Sequence, residues 1–592
     1  MKSNIRIVLF TLVILFLFSC MFMAFRNEAI NHIEFNKEKL SQIEQSGSWN
    51  LIGTTISIDN NWTAVNTTYD WCTGEGTESE PYIIENITIA AQDSGNCIEI
   101  QNSNEYFIIQ NCSLSNAGAG SYPNADITLH NVTNGKIINN YCYSNYNGIC
   151  LVESNNNTVL GNTASNNIYY GIYMENSSYN TVSGNTASNN DNGIYMVYSS
   201  YNTISGNTAS NNDNGICMVY SSYNTISGNT ASNNDNGIYM VYSSYNTISG
   251  NTASNNDNGI YMVYSSYNTI SGNLMNLCGI FLTGSLGEMA SNCIDDTNLV
   301  NNKPVYYYVN EVGLSSSNFT NAGQIILLDC TNSIISGLNL SYCFVGIYLS
   351  GSDNNTVTGN TASNNFCGIY IENSSYNTVS GNTVSNNTST GIRLIYSVNN
   401  TVSGNTANAN NYGIELAYSV NNTVSENTAN NNDNGIYMVY SSYNTISENT
   451  ISNNNEYGIY LNHSYNNTIS ENTVSNNNEY GIYLPFFSSY NTIFLNYFTN
   501  NGQNAFDKGT NNMWDNGSIG NYWDDYEGVD ANNDGIGDTP YLIPGLAGSQ
   551  DNFPIWNIQP SIPFGNYFIM FTIIAILSLT ILEQQKKKCH LR

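Results

Sequence analysis

Apolar and polar residues alternate within a unit of about 22 residues that recurs along the chain. In Gly193–Asn214 the apolar positions are Ile194 and Met196, then Ile204, then Ala209, which gives three short runs with the two-residue period of a strand. The same sequence recurs unchanged two units further along the chain. In the other units a Gly-Ile pair marks the same position. A fixed period of this length is typical of a solenoid, in which stacked neighbours complete a core that no single unit can bury.

Asparagines separate the apolar runs. Asn202, Asn207 and Asn212 stand five residues apart within Ser, Asn and Gly clusters that suit tight corners. Stacked coils of three strands would place each Asn about 4.8 Å from its counterpart, where side-chain amides form hydrogen-bonded ladders. The pattern predicts an all-β chain built as a parallel β-helix. It disfavours a leucine-rich repeat, which needs a Leu framework, and a disordered Asn-rich chain, which would not keep Ile and Gly in register.

The repeat also divides the chain into segments, with roughly seventeen coils in all when irregular ones are counted. Both ends of the solenoid should carry atypical caps, because exposed strand edges invite pairing with other chains. The predicted segments are a spacer at 26–70, a β-helix at 71–500 with regular coils at 148–280 and 325–484 around an irregular insertion at 281–324, and a C-terminal cap at 501–556.

Apolar segments at both ends predict export. Residues 1–25 fit a signal peptide or an uncleaved signal anchor. Residues 563–582 are long and apolar enough for a transmembrane helix, and the basic tail 583–592 should stay inside. This topology predicts a C-terminal membrane anchor with residues 26–562 on the extracellular face of the cell membrane. Sequons such as Asn61 and Asn176 then predict a glycoprotein.

The formal net charge of −31 reflects 13 basic against 44 acidic residues. Between residues 40 and 585 the basic residues are Lys136, Lys303, Arg393 and Lys508. Nucleic acid and anionic lipid are excluded as partners of the solenoid, because both require a basic surface. A uronate lyase is disfavoured for the same reason, since it needs cations to hold its substrate and usually a basic residue as catalytic base.

An acidic stretch near the C-terminus carries the strongest metal signal. It has oxygen side chains at loop positions 1, 3, 5 and 9 and glycine at position 6, the spacing of a calcium loop. Tyr541 stands at position 12 where an EF-hand has Glu, so the pattern predicts a shorter loop with a structural calcium; the alternative is a solvated turn. The predicted ligands are Asp530, Asn532, Asp534, the backbone carbonyl of Ile536, and Asp538.

Tyrosines recur at two positions of each regular coil and predict a ligand-binding surface. Tyr gives a large contact area at little entropic cost, which suits a sugar ring or a partner protein. The alternative is that the rings stack on one another. The two rows are Tyr198, Tyr220, Tyr242 and Tyr264, and Tyr201, Tyr223, Tyr245 and Tyr267.

Catalysis needs a constellation that occurs once, which near-identical coils do not supply. A polysaccharide hydrolase needs paired carboxylates. The unique segments offer Asp295, Asp296, Glu311 and the acids of 515–538, although nothing in the sequence makes them converge.

The coil motif G-I-Y-x-x-x-S-x-x-N-T-[IV]-S-x-N-T-x-S-N-N resembles the right-handed parallel β-helix repeats of NosD-type proteins, which are abundant among archaeal surface proteins. Asn301–Tyr308 and Asn521–Pro544 resemble further segments of that family. The resemblance covers about residues 70–556. It implies a right-handed parallel β-helix, and the family name implies copper binding.

The residues do not predict copper. A ladder of methionines offers soft ligands for Cu(I), but each Met follows an inward Ile by two residues and should fill the core. His32, His130 and His463 are far apart. The methionines are Met174, Met196, Met218, Met240 and Met262.

We therefore expect a surface-anchored β-helix stalk for adhesion, glycan binding or cell-envelope structure, with a polysaccharide or a surface glycoprotein as partner. Two alternatives stay open. One is a polysaccharide-active hydrolase or lyase, and the other is a NosD-like periplasmic copper-handling protein.

Overall fold

Short strands follow one another in threes along the chain and stack in parallel on the strands one turn away. The computed structural model describes residues 49–93, 95–118 and 124–556. These residues form an all-β, right-handed parallel solenoid of about 20 turns. The predicted β-helix is thus confirmed. We name its three walls face 1, face 2 and face 3 in chain order within a turn.

Face 1 carries the longest strands, in two stacks that meet near residue 300. Its strands are Ile56–Asp59, Ile98–Gln101, Ala125–His130, Asn147–Val152, Tyr170–Glu175, Asn192–Val197, Asn214–Val219, Asn236–Val241, Asn258–Val263 and Ile280–Thr283, then Lys303–Val309, Gln324–Leu328, Val345–Ser350, Cys367–Glu372, Thr390–Ile395, Tyr412–Ala417, Asn434–Val439, Tyr457–Asn462, Tyr480–Leu484 and Gln503–Asp507.

Face 2 begins with an antiparallel pair and continues in parallel. Its strands are Cys72–Thr73, Tyr82–Glu85, Phe107–Gln110, Gly135–Ile138, Thr158–Leu160, Thr181–Ser183, Thr203–Ser205, Thr225–Ser227, Thr247–Ser249, Thr269–Ser271 and Cys293–Ile294, then Ile334–Ser336, Thr356–Thr358, Thr378–Ser380, Thr401–Ser403, Thr423–Ser425, Thr445–Ser447, Thr468–Ser470 and Thr492–Phe494.

Face 3 is interrupted after Leu299–Val300, where the chain turns back into an antiparallel hairpin with Lys303–Val309. Its strands are Trp49–Asn50, Ile87–Ala90, Ser113–Ser115, Tyr141–Tyr143, Thr163–Ser165, Thr186–Ser188, Thr208–Ser210, Thr230–Ser232, Thr252–Ser254, Leu274–Asn276 and Leu299–Val300, then Thr361–Ser363, Thr383–Ser385, Thr406–Asn408, Thr428–Asn430, Thr450–Ser452, Thr473–Ser475, Tyr497–Thr499 and Tyr522–Trp523.

The core is a column of apolar side chains inside the three faces. Ile194, Met196, Ile204 and Ala209 are each fully buried and lie over the equivalent residues of the next turn. The expectation that the methionines fill the core is confirmed, because all five are buried. Each turn covers the apolar surface of its neighbour, which is how a solenoid replaces a globular core.

Glycine in the Gly-Ile pair allows face 1 to approach face 3. A Cβ atom on Gly193 would lie 2.6 Å from the carbonyl oxygen of Gly215 and 3.0 Å from the Cβ atom of Ala209. Any larger residue would push apart the stacked strands of face 1 and also separate face 1 from face 3 at Ala209. The pair marks the register because of this steric limit, in addition to its place at the start of a strand.

Buried asparagine amides connect successive turns at the corners. The Oδ1 atom of Asn207 accepts hydrogen bonds from both the backbone N–H and the side chain of Asn185, each at 2.9 Å. Its Nδ2 group donates to the carbonyl of Val182 and to Oδ1 of Asn229, also at 2.9 Å. Equivalent ladders run along the other two corners, so the predicted Asn ladders are confirmed.

The two stacks of face 1 are joined by a side chain. The buried Gln324 amide donates to the carbonyl of Ile280 at 2.7 Å and to that of Val345 at 3.0 Å, and its Oε1 atom accepts from the N–H of Ile280 at 2.9 Å. The amide thus bonds to backbone groups of both stacks across the place where one stack ends and the next begins. The predicted insertion also holds a short helix, Leu286–Ala290, which opens with a capping box from Ser285 and Glu288.

The N-terminal end is closed by the helix Trp62–Thr68, whose Trp62 ring stacks on Tyr82 at 5.0 Å. Strands Trp49–Asn50 and Ile56–Asp59 already belong to faces 3 and 1, although the sequence predicts a spacer there. Their short alternating pattern carries no repeat, which is why the period does not reveal them.

At the C-terminal end two tryptophans lie over the core, and each indole donates a hydrogen bond to a buried carboxylate. Trp514 donates to Asp507 at 3.1 Å and Trp523 to Asp551 at 2.9 Å. A hairpin of Tyr541–Leu542 and Gln550–Asp551 completes this cap.

The predicted transmembrane helix requires a correction of the fold class. Within the described residues no helix is long and apolar enough to cross a membrane. The fold is therefore an all-β solenoid with capped ends, to which no membrane helix is assigned. The segments on which that prediction rested, 563–582 and 583–592, and the signal segment 1–25, lie outside the described residues. Hydropathy of an isolated segment measures its apolar length and not its place in the folded chain.

We expect Asn207→Ala to destabilise the solenoid. It leaves the buried N–H of Asn185 and the carbonyl of Val182 without partners, at roughly 1–3 kcal/mol for each unsatisfied group. Thermal unfolding followed by circular dichroism should show a lower melting temperature. The control is Thr208→Ala on the exposed side of the adjoining strand, and equal melting temperatures for both variants would contradict a role for the ladder.

We expect Asp551 to make the C-terminal cap more stable in mild acid. Burial raises the pKa of Asp551 to about 6, whereas the unfolded value is about 3.9. The folded state holds the proton more tightly, so this stabilising contribution is complete below about pH 4 and is lost as the pH rises through about 6.

In Asp551→Asn this pH dependence should disappear, although the variant melts lower overall because one N–H acceptor is lost. The measurement is the melting temperature between about pH 7 and about pH 4. Glu527→Gln, at an exposed residue of the same cap, is the matched control. If the melting temperature of Asp551→Asn depends on pH as strongly as that of the parent chain, Asp551 is not the group responsible.

Candidate functional site

The tyrosines form two stacked rows on the corner between face 1 and face 2. In the first row, Tyr198, Tyr220, Tyr242 and Tyr264, neighbouring ring centroids lie 5.1–5.2 Å apart and the planes differ by 3–9°. In the second row, Tyr201, Tyr223, Tyr245 and Tyr267, the centroids lie 4.9–5.0 Å apart. We call these row A and row B; Tyr179 extends row B by one ring at 5.0 Å.

The corner backbone aims both rows outward. Tyr198 and Tyr201 have φ angles of 48° and 60°, in the left-handed region that turns the chain sharply. Their side chains are 56% and 48% exposed. The pitch of the rows is thus the pitch of the β-helix, because each ring is carried by an equivalent corner one turn further along.

Stacking determines what the rows can contact. An inner ring has a neighbour against each face, so its edge and its hydroxyl are what it presents to solvent. A sugar cannot stack flat on the inner rings. The rows instead offer C–H edges and hydroxyl groups at a constant interval of about 5 Å. A shorter row, Tyr396, Tyr418 and Tyr440, occupies the same corner of the second stack at 5.0 Å.

The predicted calcium loop is compact. Asp530 accepts hydrogen bonds from the N–H groups of Asp534 and Gly535 at 3.2 and 3.0 Å, and Asp538 accepts from the N–H of Ala531 at 2.7 Å. Gly535 has a φ angle of 87°, which explains glycine at position 6. Asn532 donates to Asp534 at 3.0 Å, and the N–H of Ile536 donates to Asp534 at 2.9 Å.

Two of the unique carboxylates influence a tyrosine. Asp296 and Glu311 both lie close enough to Tyr308 to help raise its pKa, after desolvation of the ring hydroxyl, which is the larger cause. Asp295 instead accepts hydrogen bonds from Thr297 in its own turn. The side chains of Asp296 and Glu311 are exposed. Asp296 and Glu311 thus both act on the hydroxyl of Tyr308.

A charged cluster on the outside of face 1 was not predicted. The Nε atom of Arg393 lies 3.0 Å from Oε2 of Glu415, an ion pair whose angle falls short of hydrogen-bond geometry. The guanidinium lies over the ring of Tyr370 at 5.5 Å. On the two preceding strands of face 1, the Tyr348 hydroxyl donates a hydrogen bond to Glu372 at 2.6 Å. Burial raises the pKa of Glu372.

The sequence held a signal for this cluster. Arg393 and Glu415 occupy the outward position that is Tyr in most coils, in adjacent turns, and so they lie directly over each other. Opposite charges at the same repeat position one period apart predict such a pair.

Soft metal ligands are buried or dispersed. Ten of the eleven cysteines in the described residues are buried, and none of those eleven forms a disulfide. Burial raises the pKa of Cys72 to about 11, so the thiol stays protonated. His463 is stacked between Tyr440 and Phe487, and His130 lies 3.9 Å from Glu153. In the part of the chain that the structure describes, no three His, Cys, Asp or Glu side chains are placed to hold a metal ion.

Two family models match this chain, and the resemblance seen in the coil motif is confirmed. The model described as right handed beta helix region matches residues 71–231 and 305–443, just over half of the chain. The model described as periplasmic copper-binding protein (NosD) matches residues 187–314 and 389–528. No curated protein matches the chain in sequence.

Solved structures similar to this chain include the periplasmic alginate epimerase AlgG, at 14% identity over 70% of this chain and 83% of that one, with a TM-score of 0.23. The catalytic domain of a GH87 α-1,3-glucanase matches at 15% identity over 63% and 60%, with a TM-score of 0.26. The Azotobacter vinelandii mannuronan C-5 epimerase AlgE4 A-module matches at 13% identity over 72% and 90%, with a TM-score of 0.19. At these scores the similarity carries no functional argument.

Within the described residues, the soft side chains do not fit copper. Met196 and its counterparts are buried in the core, where a metal would have to displace packed side chains. The two described histidines lie on different turns and contact aromatic or acidic neighbours. A copper site would need several such ligands converging on one point.

Proposed function

This chain belongs to the right-handed β-helix family, and on that premise we propose that it is an extracytoplasmic solenoid that binds extended, uncharged polysaccharides along tyrosine rows A and B. The observation that carries the proposal is the constant interval of about 5 Å between exposed tyrosine edges over successive turns.

A polymer with a regular repeat can meet such a surface many times. Each tyrosine edge contributes a weak contact, and contacts along one polymer add through effective concentration. The rows are already held in place by stacking, so binding requires little loss of side-chain freedom. Because the chain carries a net charge of −31, an uncharged polysaccharide approaches with less electrostatic opposition than an acidic one.

The family description as periplasmic supports a location outside the cytoplasm. There the solenoid would serve adhesion or cell-envelope structure. A surface glycoprotein would meet the rows through its glycans and is the alternative partner.

We expect replacement of Tyr201, Tyr223 and Tyr245 by Asn to weaken polysaccharide binding. Asn tolerates the left-handed backbone of these corners, so the fold should persist. With about 0.5–1.5 kcal/mol for each aromatic contact, affinity should fall at least tenfold. The measurement is affinity electrophoresis of the full chain against a panel of neutral polysaccharides, with Thr208, Thr230 and Thr252 replaced by Ser as the control on face 3.

The proposal would be refuted if a polysaccharide that retards the parent chain retarded the triple Asn variant equally. The same incubations should be assayed for new reducing ends. Their appearance, and their loss in Glu311→Gln, would favour a hydrolase that uses the carboxylates around Tyr308 instead.

We also propose that the loop 530–538 binds a structural calcium ion. The loop's carboxylates, the amide of Asn532 and the carbonyl of Ile536 are the oxygen ligands that calcium prefers. Each carboxylate oxygen that accepts an N–H keeps a further lone pair for a cation. The carboxylates of Asp530, Asp534 and Asp538 do not converge as a ready metal-ligand group in the described structure, so calcium binding would draw them together.

We expect calcium to raise the melting temperature of the C-terminal cap relative to a chelator, because an ion that binds only the folded loop stabilises it. Asp530→Ala should abolish the shift, whereas Glu527→Gln should retain it. Identical melting curves for the parent chain with calcium and with chelator would refute this site.

A further inference from the structure

The interruption of face 3 leaves a pocket on the side of the solenoid. After Leu299–Val300 the chain turns back, and the next turn contributes residues 339–342 before the regular strand Thr361–Ser363. Side chains bridge the gap where a backbone ladder would otherwise run. Asn301 donates to the carbonyls of Ser341 and Tyr342 at 2.9 and 3.1 Å.

The pocket has a volume of about 390 Å³, within the range of roughly 300–1,000 Å³ for small-ligand sites. Its side-chain lining is formed by Asn301, Lys303, Asn339, Ser341, Tyr342 and Asn364. Val300 and Gly323 add no polar side chain, so the lining offers amides, a hydroxyl, an ammonium group and one aromatic ring. This composition suits a polyhydroxylated ligand.

Lys303 gives the pocket its charge. It is one of four basic residues between positions 40 and 585. Among the described residues it has no ion pair; its Nζ group donates to the carbonyl of Asn339 at 3.1 Å. An ammonium group has three donors, so two remain for a ligand. The chain is strongly acidic, so a lysine that lies beside the pocket without a carboxylate partner gives the pocket a local positive charge.

Gly323 keeps Lys303 in place. A Cβ atom at residue 323 would lie 2.5 Å from the carbonyl oxygen of Val300, 2.7 Å from that of Lys303 and 3.1 Å from the Cβ atom of Lys303. The hairpin can therefore pack against the following strand at this one level because residue 323 has no side chain. The lysine stem is held at the pocket wall by this contact.

The other rim supplies a ring and hydrogen-bonding groups. Tyr342 is 50% exposed, and its backbone φ of 60° turns it out of the corner. The Oδ1 atom of Asn339 accepts from the Ser341 hydroxyl at 2.9 Å, which leaves the amide N–H₂ of Asn339 available. Unlike the inner rings of rows A and B, Tyr342 has no stacked partner among the described rings, so its face is accessible.

We propose that this junction pocket binds a single sugar unit that bears a carboxylate. Lys303 pairs with the carboxylate, Asn339 and Ser341 bond to ring hydroxyls, and the sugar lies against the face of Tyr342. The pocket lies at the interruption of face 3 and the rows lie on the corner between faces 1 and 2, so the proposal holds or fails independently of binding along the rows.

The test is calorimetric titration of the full chain with D-glucuronate, D-glucose and inorganic phosphate. We expect glucuronate to bind more tightly than either of the others. Lys303→Met should weaken glucuronate binding at least tenfold, and Lys303→Arg should retain most of it. Lys136→Met removes the same charge from an exposed site on face 2 and should leave binding unchanged.

Tyr342→Asn tests the sugar contact without removing charge, and its corner accepts Asn. It should weaken glucuronate binding and leave phosphate binding unaffected. Three results would overturn the proposal: no measurable heat with glucuronate, equal affinity in Lys303→Met, or phosphate binding as tight as glucuronate together with no effect of Tyr342→Asn. Melting temperatures of all variants, measured alongside, separate loss of binding from loss of fold.

Discussion

Successive regular turns of this solenoid are joined by buried asparagine amides. At a corner some backbone groups, such as the N–H of Gly206, bond to the backbone of the next turn, whereas the N–H of Asn185 and the carbonyl of Val182 bond to the side chain of Asn207. Asn207 supplies both a donor and an acceptor to the turns on either side. Without it those groups would be buried and unsatisfied, at roughly 1–3 kcal/mol each. Repeated at three corners, this interaction holds successive turns at the spacing of the paired strands.

The pitch then governs the surface. Any residue that occupies the same position in successive coils stands about one strand spacing from its copy. For tyrosine this means stacked rings in rows A and B, and for Arg393 and Glu415 it means an ion pair between adjacent turns. A perfectly repeated coil can only multiply one contact, which favours a polymeric ligand. Chemistry that requires different groups in one place must come from positions where the repeat changes.

The few basic residues illustrate this division. Arg393 interrupts a tyrosine column and is neutralised by Glu415. Lys508 lies within 5.1 Å of the ring centroid of Phe506 near the C-terminal cap. Lys303 lies where face 3 is interrupted and has a carbonyl as its hydrogen-bond partner. In a chain of net charge −31, a lysine without a carboxylate partner, such as Lys303, is where an anionic group would find a favourable local field.

The sequence by itself determined the coil. Period, strand alternation and Asn spacing predict the β-helix, its buried methionines and the amide ladders, because each turn interacts with its nearest neighbours and those neighbours repeat the same residues. The positions of the tyrosine rows follow from the same regularity. That the rings cover each other's faces was one of two open alternatives, and it depends on ring orientation, which spacing does not specify.

Only the tertiary structure decided what happens where the repeat fails. Gln324 joins the two strand stacks of face 1 by bonding to Ile280, which lies 44 residues earlier in the sequence. No local pattern marks Gln324 for that contact. The early strand at Ile56–Asp59 is recognised by its pairing with Ile98–Gln101 and by no repeat of its own. The pocket beside Lys303 exists because a hairpin turns back and Gly323 admits it. Such contacts join segments without shared periodicity, so their geometry is set by packing in three dimensions.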